Sequence, residues 1–219
     1  MRFPNAFKGV SKIYSAEILM LIGGIITVIA LILFAVTGAT ESLGPGVVGL
    51  VLLLVAAVLS IIALIRSIGG INSASLDEPT FKSAMLWLII GIVASVLEGA
   101  LQSSSESLSS LISILGEFAS VMSTVYVIKG VIALADKMGN AEVASRGHKT
   151  LKLITTVYLI AIVISVVSLV LRLVSGGEAA SETADVIAAV LAIVAGVVDI
   201  IGYILYLKML AKGKAMLAE

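Results

Sequence analysis

Four charged side chains lie inside stretches of sequence that are otherwise apolar: Glu98, Glu117, Arg172 and Asp199. A charge at the centre of a bilayer costs about 2.5–3.5 kcal/mol on insertion scales, so such residues are expected to be paired, protonated or turned toward a polar cavity. The chemistry open to them is the handling of protons, ions or a small solute. Asp199 is placed near the middle of its stretch, far from any base in sequence. It is set up either to hold a proton or cation, or to hydrogen-bond as a neutral acid to a neighbouring hydroxyl. Glu98, Glu117 and Arg172 fall toward one end of their stretches and are expected to form one network, Glu98–Arg172–Glu117, which serves either an ion path or the register of the helices.

Residues three and four apart share a helix face. Ser110, Ser113, Glu117, Ser120 and Thr124 follow that spacing and read as one polar stripe. Companion stripes are Gly91, Ser95, Glu98 and Gln102; Tyr158, Ala161, Ser165, Ser168 and Arg172; Gly49, Ala56, Ser60, Ala63 and Ser67; and Ala192, Gly196, Asp199 with Tyr203 or Tyr206. The candidate intramembrane polar or ion site is therefore Asp199, Glu117, Glu98, Arg172, Ser120, Thr124, Ser165 and Ser168. For the Gly, Ala and Ser positions, close helix packing explains the pattern equally well, since small side chains let backbones approach.

The elements that must position these residues are long and oily. The chain has 219 residues, 60% of them hydrophobic and 13% charged, with a mean hydropathy of +1.20. An ordinary soluble domain is about 45–50% apolar and about 25% charged. A run of about 20 apolar residues crosses a bilayer, and six such spans are expected, at about 16–37, 46–67, 83–101, 108–135, 151–174 and 184–208. The fold expected is an all-α integral membrane protein forming one membrane domain over 1–219. All the connections are short, which leaves no room for a folded extramembrane domain. The start, FPNAFKGVSKIYSAE, spaces Phe3, Phe7, Val10 and Tyr14 as an interfacial helix would, or else is a basic tail.

Of 14 Lys and Arg, 13 fall on one side of this threading and only Arg172 on the other. The positive-inside rule then puts both termini in the cytoplasm, as a multi-pass protein of the plasma membrane. Arg66, Lys129 and Lys208 become basic anchors at the cytoplasmic interface, where Phe3, Phe7, Tyr14, Trp87, Tyr126, Tyr158, Tyr203 and Tyr206 also gather. That face suits anionic lipids. The stretches SIIALIRS (60–67), STVYVIKG (123–130) and GYILYLKM (202–209) align without gaps. They suggest three tandem two-helix hairpins, 1–72, 73–140 and 141–219, around a pseudo-threefold axis, although any hairpin entering from the cytoplasm carries lysine at both ends.

Catalysis has little to work with. There is no cysteine, and the one histidine, His148, sits in a polar segment beside Arg146 and Lys149. The sequence therefore predicts no enzyme, no metal site, no cofactor and no nucleic-acid partner. Two functions remain: a small transporter or channel-like protein, or a non-catalytic membrane subunit or scaffold that packs against itself or partner membrane proteins. Three prolines, all outside the expected spans, give little support to the broken helices of many transporters.

Overall fold

A computed structural model describes residues 2–40, 43–102, 106–174 and 181–219, with backbone alone for 39–40, 106–107, 161, 164–174 and 181–199. Among the described residues the fold is all-helical: α1 (Pro4–Thr40), α2 (Leu43–Ala74), α3 (Thr80–Leu101), α4 (Glu106–Met138), α5 (Ala141–Val174) and α6 (Ser181–Ala218). The first four each contain a stretch long and apolar enough to cross a membrane. The fifth and sixth expected spans fall on α5 and α6, largely outside the residues whose side chains are described.

Burial divides the described side chains into two zones. Large apolar residues are exposed along Met20–Val36 of α1, Leu43–Ile65 of α2, Leu86–Leu97 of α3 and Leu108–Phe118 of α4. Such a continuous apolar surface suits lipid rather than water. The stretch in α2 rises about 33 Å, close to the roughly 30 Å of a hydrocarbon core. The largest fully buried side chains lie toward the basic helix ends: Val10 and Ile13 in the first helix, and Phe81, Ile128, Val131, Leu134 and Leu210 in the others.

The helices outrun the spans expected of them. The connections are short, but α1, at 37 residues, is about 55 Å long, well beyond a bilayer's apolar thickness. The protein extends its helices instead of its loops. The segment 3–17, expected to be either an interfacial helix leading into the first span or a basic tail, is helical from Pro4 onward. It continues into α1 without a break, and Ala6 and Val10 are fully buried.

The segment 136–150, expected to be a connection, shrinks to two residues. The Asn140 amide donates to the Ala135 carbonyl at 2.9 Å and the Gly139 amide to Asp136 at 3.1 Å. Gly139 adopts a φ of +70°, which a residue without a Cβ tolerates. This is a Schellman-type stop for α4. Asn140 then starts α5, its side-chain oxygen accepting the Val143 amide at 3.0 Å, as an N-cap residue does.

The chain divides into two compact units, one running to Asp77 with Leu217–Glu219, the other Glu78–Met216. In the first unit, α1 and α2 pack antiparallel. A Cβ added to Gly9 would meet the Gly70 carbonyl at 2.5 Å, one on Gly23 the Ala56 carbonyl at 3.7 Å, and one on Gly49 the Ala30 carbonyl at 3.2 Å. Ala16 and Ala63, both buried, take the remaining place in this register. Gly9, Ala16, Gly23 and Ala30 thus face Gly70, Ala63, Ala56 and Gly49, stepping seven residues along each helix. Every contact row is Gly or Ala, so the backbones come nearly into touch.

In the second unit, α3 and α4 repeat the device. The Ser123 hydroxyl donates to the Ala84 carbonyl at 3.0 Å, Gly91 lies against Gly116 and Ala119, and the Ser109 hydroxyl reaches the Glu98 carbonyl at 3.5 Å. Again the step is seven residues on both helices. Near its basic end α4 is surrounded: Gly130 lies against the Phe81 ring of α3, Val131 against Gly213 of α6, and Ile132 against Gly147 of α5. Three successive residues turn about 100° each, so each meets a different neighbour.

Candidate functional site

The α3–α4 seam brings two of the expected site residues onto adjoining helices and then separates them. Glu98 lies on the seam itself, half-buried, with its main-chain carbonyl accepting the Ser109 hydroxyl. Glu117 follows the seam residue Gly116, so it is turned about 100° from the contact and is exposed. The register places Glu117 level with Ile90 on α3, eight residues and about 12 Å deeper than Glu98. The two carboxylates therefore stand at different depths and on different faces. Arg172, the base expected to join them, lies on α5 outside the described side chains, as do Ser165 and Ser168, and Asp199 on α6.

One hydroxyl of the stripe is spent locally. Thr124 donates to the Ser120 carbonyl four residues back at 3.2 Å. The same back-bond occurs at Thr27, Thr37, Ser60 and Ser73. A helix that satisfies its own hydroxyls in this way can carry them in an apolar setting without a partner. Ser120 itself is exposed. The α4 hydroxyls that bond across to α3 are those of buried Ser123 and Ser109, each one residue off the expected stripe. Between the same two helices, the Trp87 and Phe118 rings meet edge to face with centroids 5.5 Å apart.

The basic anchors are all exposed. Lys129 places its ammonium 5.1 Å from the centre of the Tyr126 ring, a cation–π contact. Arg66 donates to the Ser15 hydroxyl on α1 at 3.2 Å. Lys208 follows on α6 the ring pair Tyr203 and Tyr206, whose centroids are 6.4 Å apart.

Acidic residues organise the basic ends, a role that counting lysines overlooks. Asp77 caps α1 from the far end of its own unit: one carboxylate oxygen accepts the Ala6 amide at 2.7 Å, the other the Asn5 side-chain amide at 3.0 Å. The next residue, Glu78, does the equivalent in the second unit. It is 5% exposed, accepts the Thr80 amide at 3.1 Å at the start of α3, and takes the Lys137 ammonium at 2.6 Å from the last turn of α4. Burial pushes the Glu78 carboxyl up, but the bonds from Lys137 and Thr80 together outweigh it and hold the group below its ordinary value. Glu142 accepts Lys212 of α6 and Arg146 of its own helix. The Lys212 bond and charge, with Arg146 behind them, hold that carboxyl low as well. The signals for these contacts were in the text of the chain: an Asp-Glu-Pro-Thr sequence is a helix start, and Met-Gly-Asn-Ala a stop followed by a start.

Among the described residues no group of His, Cys, Asp or Glu is placed to hold a metal ion. No protein-family model, curated protein or solved structure matches the chain.

Proposed function

We propose that this chain is a multi-pass integral membrane protein, its termini in the cytoplasm, that works by association: a non-catalytic membrane subunit or scaffold. The observation that carries this reading is the construction of the two hairpins. Their helices run unbroken, meet along Gly, Ala and Ser seams, and return the hydroxyls of Thr27, Thr37, Ser60 and Thr124 to their own carbonyls. Carriers more often depend on interrupted helices whose free backbone groups receive the solute. In each unit the helix ends beyond the apolar zone are tied by charged side chains, Asp77 in the first and the Glu78–Lys137 and Glu142–Lys212 pairs in the second, and these ends are what a partner would meet.

A second reading is kept for the carboxylates. Glu117 stands exposed among Leu111, Leu115 and Phe118, and Asp199 lies in an apolar stretch of α6; both residue types are the usual marks of proton or ion paths. The test is purified protein in vesicles loaded with a pH-sensitive dye. Association predicts the same proton leak for protein-free vesicles, wild type and Asp199→Asn, together with a defined oligomer or complex by native mass spectrometry. A flux present in wild type and abolished in Asp199→Asn would overturn it in favour of transport.

A further inference from the structure

One edge of the α1–α2 hairpin carries two matched stripes. On α1 it runs Lys12, Ser15, Leu19 and Ile22, and on α2 Gly69, Arg66, Ile62 and Leu59, each with spacings of 3, 4 and 3. Two contacts show that the stripes border the same groove. Arg66 donates to the Ser15 hydroxyl at 3.2 Å, and a Cβ on Gly69 would meet the Lys12 ammonium at 3.7 Å. The antiparallel register then sets Leu19 beside Ile62 and Ile22 beside Leu59. Ile22 and Ile62 are exposed.

The groove therefore changes character once along its length. At its lower end two cations sit about one turn apart, where the buried helix ends give way to the exposed apolar zone. Neither Lys12 nor Arg66 has a carboxylate within ion-pair distance among the described residues. Glu17, the nearest acid in sequence, is turned about 140° from Lys12, toward the other edge of the hairpin. Above the cations the lining is Leu and Ile. Gly69 matters here because its missing side chain leaves the surface over α2 to the Lys12 ammonium.

We infer that this groove is a binding site for one anionic phospholipid, its phosphate between Lys12 and Arg66 and an acyl chain along Leu19, Ile22, Leu59 and Ile62. Arg66 offers a planar fork of donors and Lys12 a point charge, a combination that suits a phosphate. The site rests on the membrane location alone and is indifferent to whether the chain transports or associates. It differs from general attraction to a basic face, because it requires these two cations and not their number.

The experiment is native mass spectrometry of the full chain released from nanodiscs containing equal phosphatidylglycerol and phosphatidylcholine. Wild type is expected to retain one phosphatidylglycerol preferentially. Lys12→Gln with Arg66→Gln is expected to lower that retention about thirtyfold, each cation near the surface contributing about a fivefold factor. The control Lys149→Gln with Lys152→Gln removes two exposed lysines elsewhere and is expected to retain the lipid. Equal retention by the Lys12/Arg66 variant, equal loss in the control, or no preference for phosphatidylglycerol in wild type would each overturn the assignment. Helical circular dichroism and the melting temperature verify that each variant is folded. Should the double variant unfold, Gly69→Leu, which occupies the place of the Lys12 ammonium, supplies the same test.

Discussion

Glu78 shows how one side chain can join two helices by serving the end of each. It caps the start of α3 through Thr80 and meets Lys137 in the last turn of α4, where a cation also favours the helix C-terminus. Removing the ammonium leaves a buried carboxylate with its largest partner gone, so Lys137→Met is expected to destabilise the protein by about 1–3 kcal/mol. Glu78→Gln, which keeps the shape and the Thr80 contacts, should cost less. Thermal unfolding in detergent measures both. The pH sign follows from the depressed carboxyl. A group whose value in the folded state is below its unfolded value of about 4.5 adds stability above that pH and loses it as pH falls through the folded value. The wild-type melting temperature should therefore drop as the pH goes below 4.5, and the drop should be shallower in Glu78→Gln. An equal slope in the two would remove Glu78 from the acid response.

At the level of the elements, the hairpins depend on backbones that nearly touch. A Cβ at Gly70 would lie 2.8 Å from the Gly9 carbonyl and from Ile13, and one at Gly130 2.5 Å from the Phe81 ring. Phe81 is fully buried, so the ring has nowhere to retreat. Gly70→Val and Gly130→Val are each expected to cost about 1–3 kcal/mol through forced separation, the usual range for overpacking. Gly24, on α1 one residue from the seam, has nothing within 4 Å of an added Cβ. Gly24→Ala should leave the melting temperature unchanged or raise it. If Gly24→Ala and Gly70→Val behaved alike, the seam would not be what holds α1 to α2. Part of this was legible beforehand: the small face of α2 containing Gly49, Ala56 and Ala63 was evident from helical spacing. Its partner on α1 was not, because α1 also carries Ser11, Ser15 and Gly24 off that line, and spacing alone does not say which small residues meet α2. On α4 the hydroxyl that meets Ala84 of α3 is Ser123, next to the stripe position Thr124, since spacing defines a face but not which neighbour it meets.

At the scale of the whole molecule, the 13-to-1 division of Lys and Arg predicts that both termini lie in the cytoplasm. The chain has no cysteine, so a single introduced thiol reports its own side of the membrane. In intact cells a membrane-impermeant maleimide is expected to label Leu43→Cys at the start of α2 directly, and Lys214→Cys near the end of α6 only after permeabilisation. The reverse pattern would overturn the orientation. Composition determined by itself that the chain is helical and rich in stretches able to cross a membrane, because a long apolar run leaves few other ways to satisfy backbone hydrogen bonds away from water. The sequence likewise marked Glu98 and Glu117 as costly residues, since cost depends on residue type and depth. Only the tertiary structure decided that these two differ by about 12 Å in depth and lie on different faces, that the basic helix ends are buried within each unit, and that Lys12 and Arg66 share one groove. Those facts depend on the register between helices, which is set where Gly and Ala allow two backbones to meet and which no single helix carries in its own periodicity.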